Sequence, residues 1–127
     1  MNILGIDFGL SKVGVAIATS KIAEPSIVIH YKDQKLMIEQ IKRMCVLEKI
    51  EKIVVGISEG EMEKKTKDFI KELKTEIIIP ITPFDETLST LDAQRMGIEA
   101  HMKKGKRRRM EDAMAAAVML QNYIDIN

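Results

Sequence analysis

The chain has 127 residues, 46% of them hydrophobic and 31% charged, with a formal net charge of +1. That length suits one packed unit and is too short for two, and the composition excludes a disordered tail. No apolar run approaches the roughly 20 residues of a membrane span, and the opening MNILGIDFG has neither the basic nor the long apolar region of a secretory leader, so a cytoplasmic protein with no membrane partner is expected. The one cysteine, Cys45, fits a reducing compartment, and its neighbours Met44 and Val46 mark it as a small buried hydrophobe.

In chain order, Ile3 to Phe8 is an apolar run broken only by Gly5 and Asp7. Gly9-Leu10-Ser11-Lys12 reads as a turn and Val13 to Ala18 as a second strand, which together predict an antiparallel hairpin. Ser26 to Tyr31, after Pro25, is a third strand. The pattern then becomes helical, with Met37, Ile38, Ile41, Met44 and Cys45 at steps of three and four. Ile53 to Ile57 is a short apolar strand of the kind covered on both faces. Met62, Phe69, Ile70 and Leu73 define the next helix, and Ile77-Ile78-Ile79 reads as a buried strand. Pro80 and Pro83 bracket the stretch leading to Asp85-Glu86. Leu88, Leu91, Ile98 and Met102 suggest another helix, and an alanine-rich helix from about Glu111 to Ile124 closes the chain. Three antiparallel strands followed by strand–helix units predict an α/β fold, a mixed central sheet with helices on both faces.

Three acidic positions stand out. Asp7 lies inside an apolar strand, where a charge is costly unless paired or bound to a metal, although an aspartate at a strand end also caps its own turn. Asp85-Glu86 follows a buried strand in Thr82-Pro83-Phe84, and carboxylates at the ends of neighbouring parallel strands can converge on one sheet edge; the alternative is a helix cap, with Asp85 or Thr87 serving the helix that begins there. Extended backbone would send Asp85 and Glu86 opposite ways, and the sequence leaves open which of them faces a metal. Asp112 suits a first helical turn, but the alanines behind it, Ala113 and Ala115 to Ala117, allow a helix to approach a sheet closely and carry Asp112 over Asp7 and Glu86. Three gathered carboxylates repel one another, and Mg²⁺ or Mn²⁺ relieves that cost. Two such ions can drive in-line phosphoryl displacement. Lys103, Lys104, Lys106, Arg107, Arg108 and Arg109 crowd into one stretch, either a phosphate-binding segment or a solvated loop.

Ile3-Leu4-Gly5-Ile6-Asp7-Phe8-Gly9 with Lys12-Val13-Gly14-Val15-Ala16 resembles the opening of the YqgF/RuvX family. Ile53-Val54-Val55-Gly56, Asp85-Glu86-Thr87-Leu88-Ser89-Thr90, Asp112 to Ala116 and Leu120-Gln121-Asn122-Tyr123 continue the resemblance in order along nearly the whole chain. It implies a single ribonuclease-H-like nuclease domain over residues 1–127, similar to Holliday-junction resolvases and involved in maturing the 5′ end of precursor 16S rRNA. By the same resemblance Asp7, Glu86 and Asp112 are the metal-binding catalytic acids and Lys12 a hairpin residue facing phosphate. The chain departs from the family at Thr87, where arginine is common, at Ser11-Lys12, where two basic residues are frequent, and after Ile57, where the loop Ser58-Glu59-Gly60 is shorter than usual and acidic at Glu59, Glu61 and Glu63. The implied function is a metal-dependent endonuclease acting on structured RNA, with branched-DNA resolution or non-catalytic RNA binding in ribosome assembly as alternatives. Its partner is nucleic acid, and it acts as a monomer or homodimer.

Overall fold

A computed structural model of the protein describes residues 1–85 and 109–127. Among the described residues five strands form one sheet: β1 (Ile3–Phe8), β2 (Lys12–Ala18), β3 (Ala23–His30), β4 (Lys52–Ile57) and β5 (Ile81–Asp85), in the order β3-β2-β1-β4-β5. β1, β2 and β3 are antiparallel neighbours, whereas β4 lies parallel to β1 and β5 parallel to β4. Helices α1 (Gln34–Leu47), α2 (Glu61–Glu76) and α3 (Glu111–Ile126) complete the described architecture. The expected mixed sheet with an antiparallel start is what forms. The helix expected from Leu88, Leu91, Ile98 and Met102 lies outside the described residues.

Alternation along the strands divides the side chains between two layers. Leu4, Ile6, Phe8, Val13, Val15, Ile53, Val55 and Ile81 meet Met37, Ile38 and Ile41 of α1 and Phe69, Ile70 and Leu73 of α2 in one buried cluster. Phe8 and Phe69 stack at its centre, with ring centroids 4.3 Å apart. Ile3, Ala16, Ala18 and Val54 meet Ala116, Ala117, Met119, Leu120 and Tyr123 of α3 in a second cluster on the opposite face. β1 and β4 are therefore covered on both sides, as their near-continuous apolar sequences require.

Local signals fix the helix ends. Asp33 caps α1 by accepting from the Lys35 backbone N–H at 2.9 Å. The helix closes at Glu48, with Lys49 in the left-handed region at φ 53° and the Ile50 N–H reaching the Cys45 carbonyl at 2.9 Å. α2 starts at Gly60, whose φ of 102° favours glycine, and its first turn carries Glu61 and Glu63. Some of the acid near residues 58–63 is thus the acidic first turn that a helix N-terminus favours.

Two expectations about strands need correction. Ile77-Ile78-Ile79 is a connection, not a strand: Ile77 ends α2 with its N–H on the Leu73 carbonyl at 2.8 Å, and Ile78 is fully exposed. The strand begins at Ile81 and runs through Pro83, because β5 is the outermost described strand on that side and an edge tolerates a residue without an N–H. β3 likewise starts at Ala23, ahead of Pro25, at the opposite edge and beside a register shift at Val15/Ala16.

Candidate active site

Asp7 lies near the C-terminal end of β1, on the α3 face. In register it faces Gly14 on β2 and Gly56 on β4, and Gly56 in turn faces Phe84 on β5. Directly paired residues share a face, so between Gly14 and Phe84 this row carries no side chain but that of Asp7. Phe84 meets the ring of Tyr123 edge-on, which confirms that the row looks toward α3.

Gly14 explains how Asp112 arrives there. A Cβ built on Gly14 would lie 2.0 Å from the Asp112 carbonyl oxygen and 2.8 Å from the Ala113 nitrogen, both rigid backbone atoms. Only glycine lets the first turn of α3 sit so low on β2, immediately beside the Asp7 strand. Gly5 does the same further along, where a Cβ would meet Leu120 at 2.9 Å. Buried Ala113, Ala116 and Ala117 complete the thin contact layer. Asp7 and Asp112, far apart in sequence, are thereby placed on one sheet face at the ends of adjoining elements.

Lys12 opens β2 two residues before Gly14 and so emerges on the same face. Its Nζ lies 3.0 Å from Oδ2 of Asp112, with the two side chains 50% and 30% exposed. The hydrogen bond and charge of Asp112, helped by Glu111, hold the Lys12 ammonium above its ordinary pKa of 10.5. Lys12, read from sequence as facing phosphate, is thus an ion-pair partner of a candidate catalytic acid. Its turn is braced by Tyr31, whose hydroxyl donates to the Gly9 carbonyl at 2.5 Å and whose N–H donates to the Ser11 carbonyl at 3.0 Å.

Asp85 occupies the other face. It faces Ile57 in register and lines an open recess with Ser58, Glu59, Glu63 and Lys67, against α2. Arg109 is exposed just ahead of α3. Glu86, Lys103, Lys104, Lys106, Arg107 and Arg108 lie outside the described residues, and among the described residues no three His, Cys, Asp or Glu form a group. The oxygens of Asp7 and Asp112 are hard donors of the kind Mg²⁺ and Mn²⁺ accept, so the donor chemistry fits such an ion.

Sequence reasoning passed over the roles of Gly14, Tyr31 and Gln121. Gln121 accepts from the Ala23 N–H at 2.8 Å and donates to the Lys21 carbonyl at 2.9 Å, clipping α3 to the β2–β3 connection. An isolated glycine within a β-branched strand was the available signal for Gly14, since it marks close backbone approach.

The family model described as RuvX, Holliday junction resolvase, matches residues 1–126. A proposed pre-16S rRNA nuclease of Clostridium novyi is 34% identical over 98% of both chains, and one from Halothermothrix orenii is 35% identical over 98% of this chain and 95% of its own. Two solved structures share the fold at 14% identity. Thermus thermophilus RuvC bound to a Holliday junction substrate aligns over 100% of this chain and 96% of its own with a TM-score of 0.62. The fowlpox virus resolvase with junction DNA aligns over 99% and 98% with a TM-score of 0.66. The sheet is therefore the ribonuclease-H-like sheet of these resolvases, and the chain belongs to the RuvX family of nucleases.

Proposed function

We propose that this chain is a metal-dependent endonuclease that hydrolyses phosphodiester bonds of structured RNA during 5′-end maturation of precursor 16S rRNA. The observation that carries the reading is the seating of Asp112 on Gly14, which gathers Asp112 and Lys12 beside Asp7 on one face of the sheet. The names of relatives at 34% and 35% identity favour precursor 16S rRNA, while the description of the matching family model and neighbours at 14% identity support junction DNA as the alternative.

In this reading Asp7 and Asp112 hold Mg²⁺ or Mn²⁺, with Glu86 as the third acid. Asp85 is set aside because it lies on the face opposite Asp7. Bound divalent metal, as two ions, would supply a water of lowered pKa and neutralise charge on the leaving oxygen. Asp7 contributes a fixed carboxylate on a strand buried on both sides, so its oxygens need little reorganisation. Asp112 adds a second from a helix whose backbone cannot sink or slide past Gly14. Lys12, with Arg109 and the basic residues 103–108, meets the phosphates of the substrate.

Incubation with Mg²⁺ and labelled precursor rRNA or four-way DNA tests this directly. Cleavage of the rRNA is expected, and Asp7→Asn should lower its rate by three or more orders of magnitude while binding survives, because phosphate contacts elsewhere carry affinity. Cutting of junction DNA alone, in symmetric pairs by a dimer, would replace the RNA reading with that of a resolvase. Full cleavage by Asp7→Asn would remove the proposed site.

A further inference from the structure

We infer that Lys12 is an internal counterion of the metal site: its ammonium occupies Asp112 in the metal-free protein and is released when a divalent ion binds. The inference rests on the proposed metal site and adds a role for Lys12 within it.

The geometry is held from both sides. Lys12 stands at the first position of β2, behind a turn braced by Tyr31, and Asp112 is fixed by backbone contact over Gly14. The ammonium lies 3.0 Å from Oδ2 of Asp112, one of the two carboxylate oxygens that Asp112 offers a metal. An exposed ion pair of this type adds little to stability, so its consequence lies in where the charge sits. Carboxylates brought together without a cation repel one another, and Lys12 supplies that cation while no metal is present. A divalent ion that takes Oδ2 of Asp112 displaces the ammonium from it. The displaced charge remains beside the site, where an anionic substrate oxygen can take the place of Asp112 as its partner. Metal loading and readiness for substrate are thereby coupled through one side chain.

Two measurements on the full chain test this without reference to activity. Calorimetric titration with Mn²⁺ should show Lys12→Met binding the ion about two- to fivefold more tightly than the native protein, as loss of an exposed competing pair implies. Melting curves should match, because Lys12 is exposed. In parallel, lysines carrying ¹³C-methyl groups are followed by NMR during Mg²⁺ titration, with the Lys12 signal identified by its absence in Lys12→Met. That signal should move with loading toward the position it holds in metal-free Asp112→Asn. A Lys12 signal that stays in place at Mg²⁺ concentrations that calorimetry shows to load the native protein, or an unchanged Mn²⁺ affinity in Lys12→Met, overturns the counterion role and leaves the metal site standing. Absence of any Mn²⁺ binding by the native protein overturns both.

Discussion

The two faces of the sheet are built on opposite principles. Toward α1 and α2 the strands present Leu, Ile, Val and Phe, and the layer between sheet and helices is thick, apolar and buried. Toward α3 they present Gly5, Gly14, Ala16 and Ala18, and the helix answers with Ala113, Ala116 and Ala117, so backbones nearly touch. Burial of large side chains stabilises the fold on the first face. The second gives up that area, and with it the stabilisation of roughly 25 cal/mol per Å², in return for close approach. Asp112 can stand beside Asp7 only because the layer at that end has almost no thickness. The first face carries the thicker apolar layer, and the second, closed by Ile3, Val54, Met119, Leu120 and Tyr123, aligns carboxylates at its thin end.

Substitutions on each face should therefore separate stability from alignment. Phe69→Ala empties the centre of the thick layer, where Phe69 is 1% exposed and stacked on Phe8. We expect a loss of about 3–5 kcal/mol in chemical denaturation, with the remaining folded protein cutting at near the native rate. A comparable loss of rate per folded molecule would show that the thick face also shapes the site. Gly14→Ala adds one methyl group to the thin layer. Its Cβ would meet the Asp112 carbonyl at 2.0 Å, so α3 must lift or tilt at its first turn. Overpacking of this kind costs about 1–3 kcal/mol, and a displacement near 1 Å costs about a hundredfold in rate. Cleavage rate and metal affinity should fall together while most of the stability remains. Native rate and affinity in Gly14→Ala would break the proposed link between closeness and function.

The thick face was largely legible in the sequence, because its side chains follow the periods of strand and helix from Leu4 to Leu73. The exceptions arose where an apolar residue serves a connection. Ile77 to Ile79 look like a strand but connect the end of α2 to β5, which starts only at Ile81 and runs through Pro83 at the described edge. The run of three isoleucines has no local signature of a connection, since it differs from a strand only in where α2 ends. On the thin face, Asp7 was legible as a charge inside an apolar run, and Asp112 only through the alanines that follow it. The Lys12–Asp112 pair left no trace, because a contact between the second strand and the last helix is set by how low α3 rides on Gly14.

The smallest effect expected of this comparison concerns pH. Cys45 projects from α1 into the thick layer, 3% exposed, and burial there pushes its thiol from 9.0 up to about 11. Burial disfavours the thiolate, so between those values the unfolded chain has lost the proton that the folded chain still holds. The folded state then binds more protons, and stability falls as pH rises through that window. The contribution is fully present below pH 9, is lost progressively up to about pH 11, and is constant beyond. Between pH 8 and pH 10 the loss is on the order of 1 kcal/mol, since each pH unit of displacement is worth about 1.4 kcal/mol. Lysines and tyrosines titrate at alkaline pH as well, so the measurement is a difference: urea denaturation of native protein and Cys45→Ala at both pH values. Cys45→Ala starts from lower stability, having lost packing, but should decline less with pH by that amount. Equal declines would mean that the thiol reaches water in the folded state, and that the α1 layer is looser than its burial implies. The same residue checks this kinetically, since a thiol held protonated and buried should react with an alkylating reagent at pH 8 only as fast as the layer opens.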